Sequence, residues 1–282
     1  MFTLKIGNNR GSIYELTHNT GRYAVVGIDG LTRPPTSINT AIAGGIDGSF
    51  FNSARVEQRN LVISIILRGD IETNRQALYT IFPLKSKCTI YFSNKNRDVK
   101  IEGFVETLEA DLFTMQERVQ VSIICPRPYW QDMNEIIDSI STTVNLFQFP
   151  FSISESIPFA EIYNEPHAFL NNLGDSETGF TIVTTLEKNL STLTFTNLTT
   201  GEFFKVDYTM LEGDTFILST IQGGLNVRIE REGSSINLLN YIGAGSSWIK
   251  LVTGLNDITY SCGSDEADFP IAINAIWLYG GV

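Results

Sequence analysis

The 282-residue chain has only two histidines, His18 and His167, and three cysteines, Cys88, Cys125 and Cys262. Two isolated imidazoles offer a poor basis for histidine-dependent acid–base chemistry. The cysteines are odd in number, far apart, and form no Cys-x-x-Cys pair. This argues against a disulfide framework and against a zinc site. Cys88 and Cys125 sit in apolar strand patterns and read as buried thiols. The chain also lacks a phosphate-binding loop, a His-Glu-x-x-His pair and a Gly-x-Ser-x-Gly elbow. Catalytic residues, bound metal and cofactors are therefore not expected. No apolar run approaches ~20 residues, so membrane insertion is not expected either. Met1-Phe2-Thr3-Leu4-Lys5 lacks the layout of a signal peptide and reads as a first strand in a protein that folds in a cytoplasm.

Basic residues are scarce in one half only. Residues 1–130 hold 15 Lys+Arg against 12 Asp+Glu, a net of +3, whereas residues 131–282 hold 5 against 19, a net of −14. The whole chain carries −11, which argues against specific nucleic-acid binding, since that relies on basic surface. An acidic wall could instead line a conduit through which DNA passes without adhering. The charge changes at Pro126, Pro128, Tyr129 and Trp130. Two prolines fix φ and donate no amide hydrogen bond, so a strand through Ile124 should stop there. We read this segment as a hinge between a domain at 1–130 and a second at 131–282, with 131–160 a linker-like start. A stiff surface loop inside one domain is the plainer alternative.

Strand patterns dominate, so the chain is expected to be mainly β. Residues 99–103 and 118–123 alternate apolar and polar side chains, and 61–67 are almost continuously apolar, as in a strand covered on both faces. One helix is expected, with Asp70 as N-cap, an apolar stripe of Ala77, Leu78, Ile81 and Phe82, and Pro83 as the stop. Residues 134–140 suit a short helix or a linker. From Phe180 onward, eight or so short strands separated by turn signals read as a β-sandwich or jelly roll. They include 248–251 and 273–278. Residues 27–60 differ, combining Ile38, Ile42, Ile46, Phe50 and Phe51 with glycines and prolines. They form either an arm ordered by a partner or a surface loop.

Candidate chemistry is sparse. Glu230 and Glu232 fall on one face of an expected strand, and Asp265, Glu266 and Asp268 cluster in a loop. A glycosidase needs two carboxyls facing a sugar-sized cleft, and solvated acidic surface is the simpler reading. Trp130, Trp248 and Trp277 could stack sugars, although two of them lie in strand patterns that suit a core.

A family resemblance gathers these features. Residues 245–260, Gly-Ser-Ser-Trp-Ile-Lys-Leu-Val-Thr-Gly-Leu-Asn-Asp-Ile-Thr-Tyr, resemble the end of siphophage distal tail proteins. So do the final Trp277 to Val282, the turn at Thr196 to Glu202, and Glu212-Gly213-Asp214-Thr215. Earlier, Ile46-Asp47-Gly48, an apolar strand, Gly69-Asp70 with its helix, and Pro128-Tyr129-Trp130 follow in the family's order. Asn164-Glu165-Pro166-His167 departs from it, and 131–160 match poorly. The resemblance implies an N-terminal split β-barrel with one helix and a C-terminal galectin-like sandwich. It implies a homo-hexameric ring at the tail tip of a virion, in contact with the tail tube protein, a tail-associated protein and a receptor-binding or side-fibre protein. On this reading Ile38, Ile42, Ile46, Phe50 and Phe51 form the arm that reaches a neighbour. Leu61, Ile63 and Ile65 lie on a strand shared between subunits, since a head-to-tail contact closes into a ring. The alternative is a carbohydrate-binding module for host cell-wall polysaccharide.

Overall fold

The computed structural model describes residues 2–16, 21–42, 44–45, 47–112, 114, 116–145, 160–263, 269 and 271–282. His18, Ile46, Asp265, Glu266 and Asp268 lie outside them. The fold is mainly β, with one α-helix among the described residues. The chain divides into two compact units, one of Met1–Met133 with Tyr279–Val282, the other of Asn134–Leu278.

The first unit begins with β1 (Thr3–Gly7), β2 (Ile13–Leu16) and β3 (Tyr23–Asp29). A separate hairpin follows, β4 (Thr36–Ala41) and β5 (Phe50–Val56), and then β6 (Arg59–Leu67). After helix α1 (Ile71–Ile81) come β7 (Lys87–Ser93), β8 (Asp98–Ala110), β9 (Arg118–Cys125) and the short β10 (Trp130–Asp132). The main sheet runs β2-β1-β7-β8-β9-β6-β3, and β10 also pairs with β8. The long β8 serves two neighbourhoods. Its first half pairs with β7 and β10, and from Phe104 onward it pairs with β9, through a bulge between Val105 and Thr107. A bulge bends and twists its strand, which is how one strand joins two sheet segments here.

Alternation builds the core of this unit. Leu61, Ile63 and Ile65 from β6, Val119, Val121 and Ile123 from β9, Val99 and Ile101 from β8, and Leu4 and Ile6 from β1 are all buried. Cys88 and Cys125 join them as free, buried thiols. Burial pushes Cys88 up to about 11 and Cys125 up to about 12, so both stay protonated and serve as small apolar fillers. Helix α1 starts as expected. Asp70 caps it by accepting from Thr73 N at 3.3 Å, and this bond together with that from the Thr73 hydroxyl holds the Asp70 carboxyl below the usual range. The helix buries Leu78 and Ile81, with Phe82 at its end, and packs on β6. Arg75 ties it to Glu117 at 2.9 Å, just before β9.

The second unit starts with a correction. Residues 134–140, expected as helix or linker, open β11 (Ile136–Asn145), an extended strand. The β-branched run of Ile and Thr explains this, since such residues favour the pleated surface. The unit continues with β12 (Ala160–Asn172), β13 (Phe180–Thr185), β14 (Leu190–Asn197), β15 (Glu202–Met210), β16 (Thr215–Ser219), β17 (Asn226–Arg231) and β18 (Ser234–Asn237). A 3-10 turn at Leu239–Tyr241, β19 (Gly254–Ser261) and β20 (Ile271–Ala275) complete it. The order is β15-β14-β19-β12-β11-β20-β13-β16-β17-β18. Residues 136–140 of β11 pair with β20 and 141–145 with β12, so β11 is the corner that two sheets share. Phe195 of β14 meets Phe216 of β16 across the interior, with ring centroids 5.9 Å apart. Residues 248–251, expected as a strand, instead run as a connection with one isolated bridge, Leu251 to Thr178.

Three buried asparagines stitch the turns of this unit. Asn197 donates to Lys250 O at 2.9 Å and to Asn256 Oδ1 at 3.1 Å. Asn256 donates to Val252 O and Gly254 O at 2.8 and 2.9 Å and accepts from Val252 N. Asn172 donates to Ser176 O and Leu251 O. The Thr-Asn-Leu-Thr-Thr-Gly-Glu and Gly-Leu-Asn motifs thus satisfy backbone carbonyls where strands end, a role that buried amides fill well. Asp214, in the third motif, is 2% exposed and receives Arg231 Nη2 at 2.6 Å and Nε at 2.8 Å. From Ala275 the chain passes to β21 (Leu278–Tyr279), which pairs with β10. The last four residues, expected with the second domain, therefore pack in the first unit.

Two outcomes are expected. A Cβ at Gly103 would sit 2.6 Å from Ile123 Cγ2 and 2.9 Å from Cys125 Sγ, so Gly103→Ala should cost ~1–3 kcal/mol by overpacking. Urea denaturation should show a lower midpoint at unchanged slope. The Arg231 side-chain hydrogen bond, aided by Leu211 N–H, holds the Asp214 carboxyl below its usual range against the opposing effect of burial. A depressed folded-state value means that this stabilisation is complete above the ordinary carboxylate value of about 4 and is lost as pH falls through the folded value. Asp214→Asn should be less stable at neutral pH and should lose less stability than wild type on acidification, as read by urea denaturation at neutral and acid pH.

Candidate assembly interface

The β4–β5 hairpin stands apart from the main sheet, and every residue of both strands is exposed. Its pairing runs Thr36 to Val56, Ile38 to Ala54 and Asn39 to Ser53, then shifts so that Thr40 faces Phe51 and Ala41 faces Phe50. The shift leaves one extra residue, Asn52, in β5. This changes which face Phe51 occupies, because side chains alternate and one slipped residue exchanges faces. Phe51 joins Ile38, Ala54 and Val56 on one apolar face. Ser37, Asn39, Ser53 and Arg55 line the other, with Phe50 at the tip end. Ile38 is 64% exposed and Phe51 67%, while Ile42 just beyond β4 reaches 83%. A two-stranded hairpin with a bare apolar face is marginal in water.

The root of the hairpin is held by a buried arginine. Arg59, at the start of β6, is 1% exposed. Its Nε donates to Pro128 O at 2.7 Å, and Nη1 donates to Thr32 O at 2.5 Å and to Gly30 O. Nη2 donates to Gly280 O, and the guanidinium lies 5.6 Å from the centre of the Trp130 ring. Gly30 has φ +85°, and a Cβ there would come within 2.1 Å of Asn60 O. Only glycine permits that backbone path. The final residues are held further by Arg97, which stacks 4.2 Å from the Tyr279 ring centre and donates to Gly281 O. Tyr279 donates to Asp132 at 2.9 Å, and Val282 N donates to Leu31 O at 3.1 Å.

This geometry corrects one expectation. Leu61, Ile63 and Ile65 are buried inside their own unit, and β9 and β3 occupy both edges of β6. That strand has no free edge to share with a neighbour. Pro126, Pro128, Tyr129 and Trp130, expected as a hinge, all lie within the first unit. β9 ends at Cys125 as the prolines require, but Pro128 is held by Arg59, Trp130 is 0% exposed, and the unit extends to Met133. Arg59 was not singled out in the sequence. The signal for it was a lone arginine at the head of an apolar strand.

The candidate chemical residues are dispersed. His167 hydrogen-bonds Asp257 at 2.7 Å on neighbouring strands and stacks on Phe169. Glu230 pairs with Arg228, whereas Glu232 lies beyond β17 at φ +49°, so the two do not share a strand face. Trp130 and Trp277 are buried, and Trp248 packs on Phe204 with ring centroids 4.8 Å apart. Among the described residues there is no group of three or more His, Cys, Asp or Glu placed to hold a metal, and no helix long and apolar enough to cross a membrane.

Comparison with known proteins gives the class. Residues 173–275 match the family described as siphovirus-type tail component, C-terminal domain. That span holds the Asn197, Asp214 and Asn256 turns. Among curated proteins none matches. Among solved structures, the Dit protein of phage SPP1, described as a paradigm of hub adsorption apparatus in phages infecting Gram-positive hosts, is 15% identical. It aligns over 99% of both chains with a TM-score of 0.68. A chain of the phage P2 baseplate in its activated conformation with calcium is 10% identical over 100% of both, with a TM-score of 0.52. The fold is thus shared along the whole length, and the resemblance to siphophage distal tail proteins is borne out.

Arg59→Met should destabilise the protein by ~3 kcal/mol or more, because several buried carbonyls lose their donor at ~1–3 kcal/mol each. Arg59→Lys should recover only part of this, since one ammonium cannot span the same set. Denaturant titration of both variants checks the ordering.

Proposed function

We propose that the chain is a structural subunit of a phage tail-tip hub, without catalytic activity. Six copies close into a ring through the first unit, joining the tail tube protein to a tail-associated protein. The Asn134–Leu278 unit points away from the ring and carries receptor-binding or side-fibre protein. The product resides in the virion tail tip and is assembled in the host cytoplasm. DNA passes through the ring without specific binding.

The observation that carries this reading is the exposed apolar face of the β4–β5 hairpin, seated on a rigid root. A hairpin of this composition gains most by lying on another subunit, and a head-to-tail contact of this kind closes into a ring. Charge supports the division of labour. The first half carries +3 and the second −14, so the near-neutral unit meets little repulsion on closing, while the acidic unit gains from distance and salt. The likeness to the SPP1 and P2 structures supports a hub role in the same direction.

Ile38→Asp with Phe51→Asp should abolish ring formation while leaving the subunit folded, because both side chains are exposed in the single chain. Light scattering and negative-stain micrographs, with and without the tube protein, check this. Wild type should give a ring with a central hole, and the variant a monomer whose stability changes by less than ~0.5 kcal/mol. A wild type that stays monomeric even with the tube protein would count against the ring.

A further inference from the structure

The second unit has a depression unrelated to the hairpin. Its volume is about 580 Å³, and Asp207, Tyr208, Thr209, Leu211, Arg231 and Tyr241 line it. It lies where β15, the end strand of one sheet, comes close to β17 of the other through the 3-10 turn Leu239–Tyr241. A backbone bridge between Val206 and Ile242 fixes that approach.

We propose that this depression binds a neutral sugar unit of a cell-surface glycan. Three features point there. First, Tyr208 and Tyr241 meet edge to face at 4.6 Å, and Tyr241 is 43% exposed, giving a rigid aromatic wall open to solvent. The apolar C–H face of a pyranose fits such a wall, and aromatic side chains supply contact area at low entropic cost. Second, the polar groups are held in place before any ligand arrives. Arg231 is locked by two bonds to the buried Asp214, at 2.6 and 2.8 Å. Asp207 is oriented through Oδ1 by Lys205 at 2.9 Å and Thr192 at 3.0 Å. Arg231 and Asp207 both border the depression, and fixed groups of these two kinds suit vicinal hydroxyls, which both donate and accept. Third, charge selects the class. Arg231 is matched by Asp214 and Lys205 by Asp207, so the local field carries no excess of positive charge. An anionic polyol phosphate gains nothing there, in a unit that is strongly acidic overall.

This reading is independent of the ring, because it concerns one unit of a single chain. It also moves sugar recognition away from the buried Trp277 and the packed Trp248. The test uses the full chain, isotope-labelled for amide NMR. A panel of neutral hexose and N-acetylhexosamine trisaccharides is titrated in, with glycerol 3-phosphate as the anionic arm. At least one neutral trisaccharide should give saturable shifts confined to residues 207–211, 231 and 241. Tyr241→Ala should weaken that binding by roughly fivefold to tenfold, the equivalent of losing one aromatic contact. Asp207→Asn should weaken it by a similar factor. Both residues are exposed, so an unchanged spectrum elsewhere establishes that the variants are folded. The proposal is overturned if no neutral trisaccharide saturates, if Tyr241→Ala binds like wild type, or if glycerol 3-phosphate binds the same residues more tightly.

Discussion

A buried guanidinium organises the first unit. Arg59 donates to carbonyls on three separated stretches, at 30–32, at Pro128 and at Gly280. Taking a cation out of water costs free energy unless its donors are satisfied. Those stretches therefore order together around it. The consequence reaches outward: the root of the exposed hairpin, the stop after β9 and the returning tail share one anchor. Gly30 reinforces it, because its backbone lies against Asn60 where no side chain fits.

The anchor makes sense of an otherwise unfavourable feature. An apolar hairpin in water gains little by itself, yet this one is paired, bulged and presented on a fixed base. A rigid base lowers the entropy lost on docking, which is the general benefit of preorganisation. The bulge at Asn52 matters as much as the apolar residues, for it gathers Phe51 with Ile38, Ala54 and Val56 on one face. The second unit follows a different logic, with its polar side chains spent on turns. Asn172, Asn197, Asn256 and Asp214 close strand ends and leave the interior to Phe180, Phe195, Phe204 and Phe216.

Much of the fold was legible in the residues. Alternation gave β8 and β9, the Asp70 cap and Pro83 bounded the helix, and turn signals separated the strands from Phe180 to Arg231. The misses have physical causes. Residues 136–145 carry Ser, Asp and Thr among their isoleucines, which blurred the strand pattern that β-branching supports. Residues 248–251 alternate like a strand, but the buried Asn172 and Asn197 take up the carbonyls of Leu251 and Lys250. The near-continuous apolar run of 61–67 signalled burial correctly. It did not reveal whether a neighbour or the same chain supplied the cover, and β3, β9 and α1 supply it.

The sequence by itself determined the mainly β class, helix α1 and its cap, the stop after Cys125, the charge division and the likeness to distal tail proteins. Each of these rests on local chemistry or on order along the chain. The tertiary structure alone decided that residues 279–282 return to the first unit, that Arg59 anchors it, that Phe51 shares a face with Ile38, and that Tyr208 and Tyr241 wall a depression beside Arg231. Those depend on partners far apart in sequence, and backbone pairing, not composition, brings them within reach.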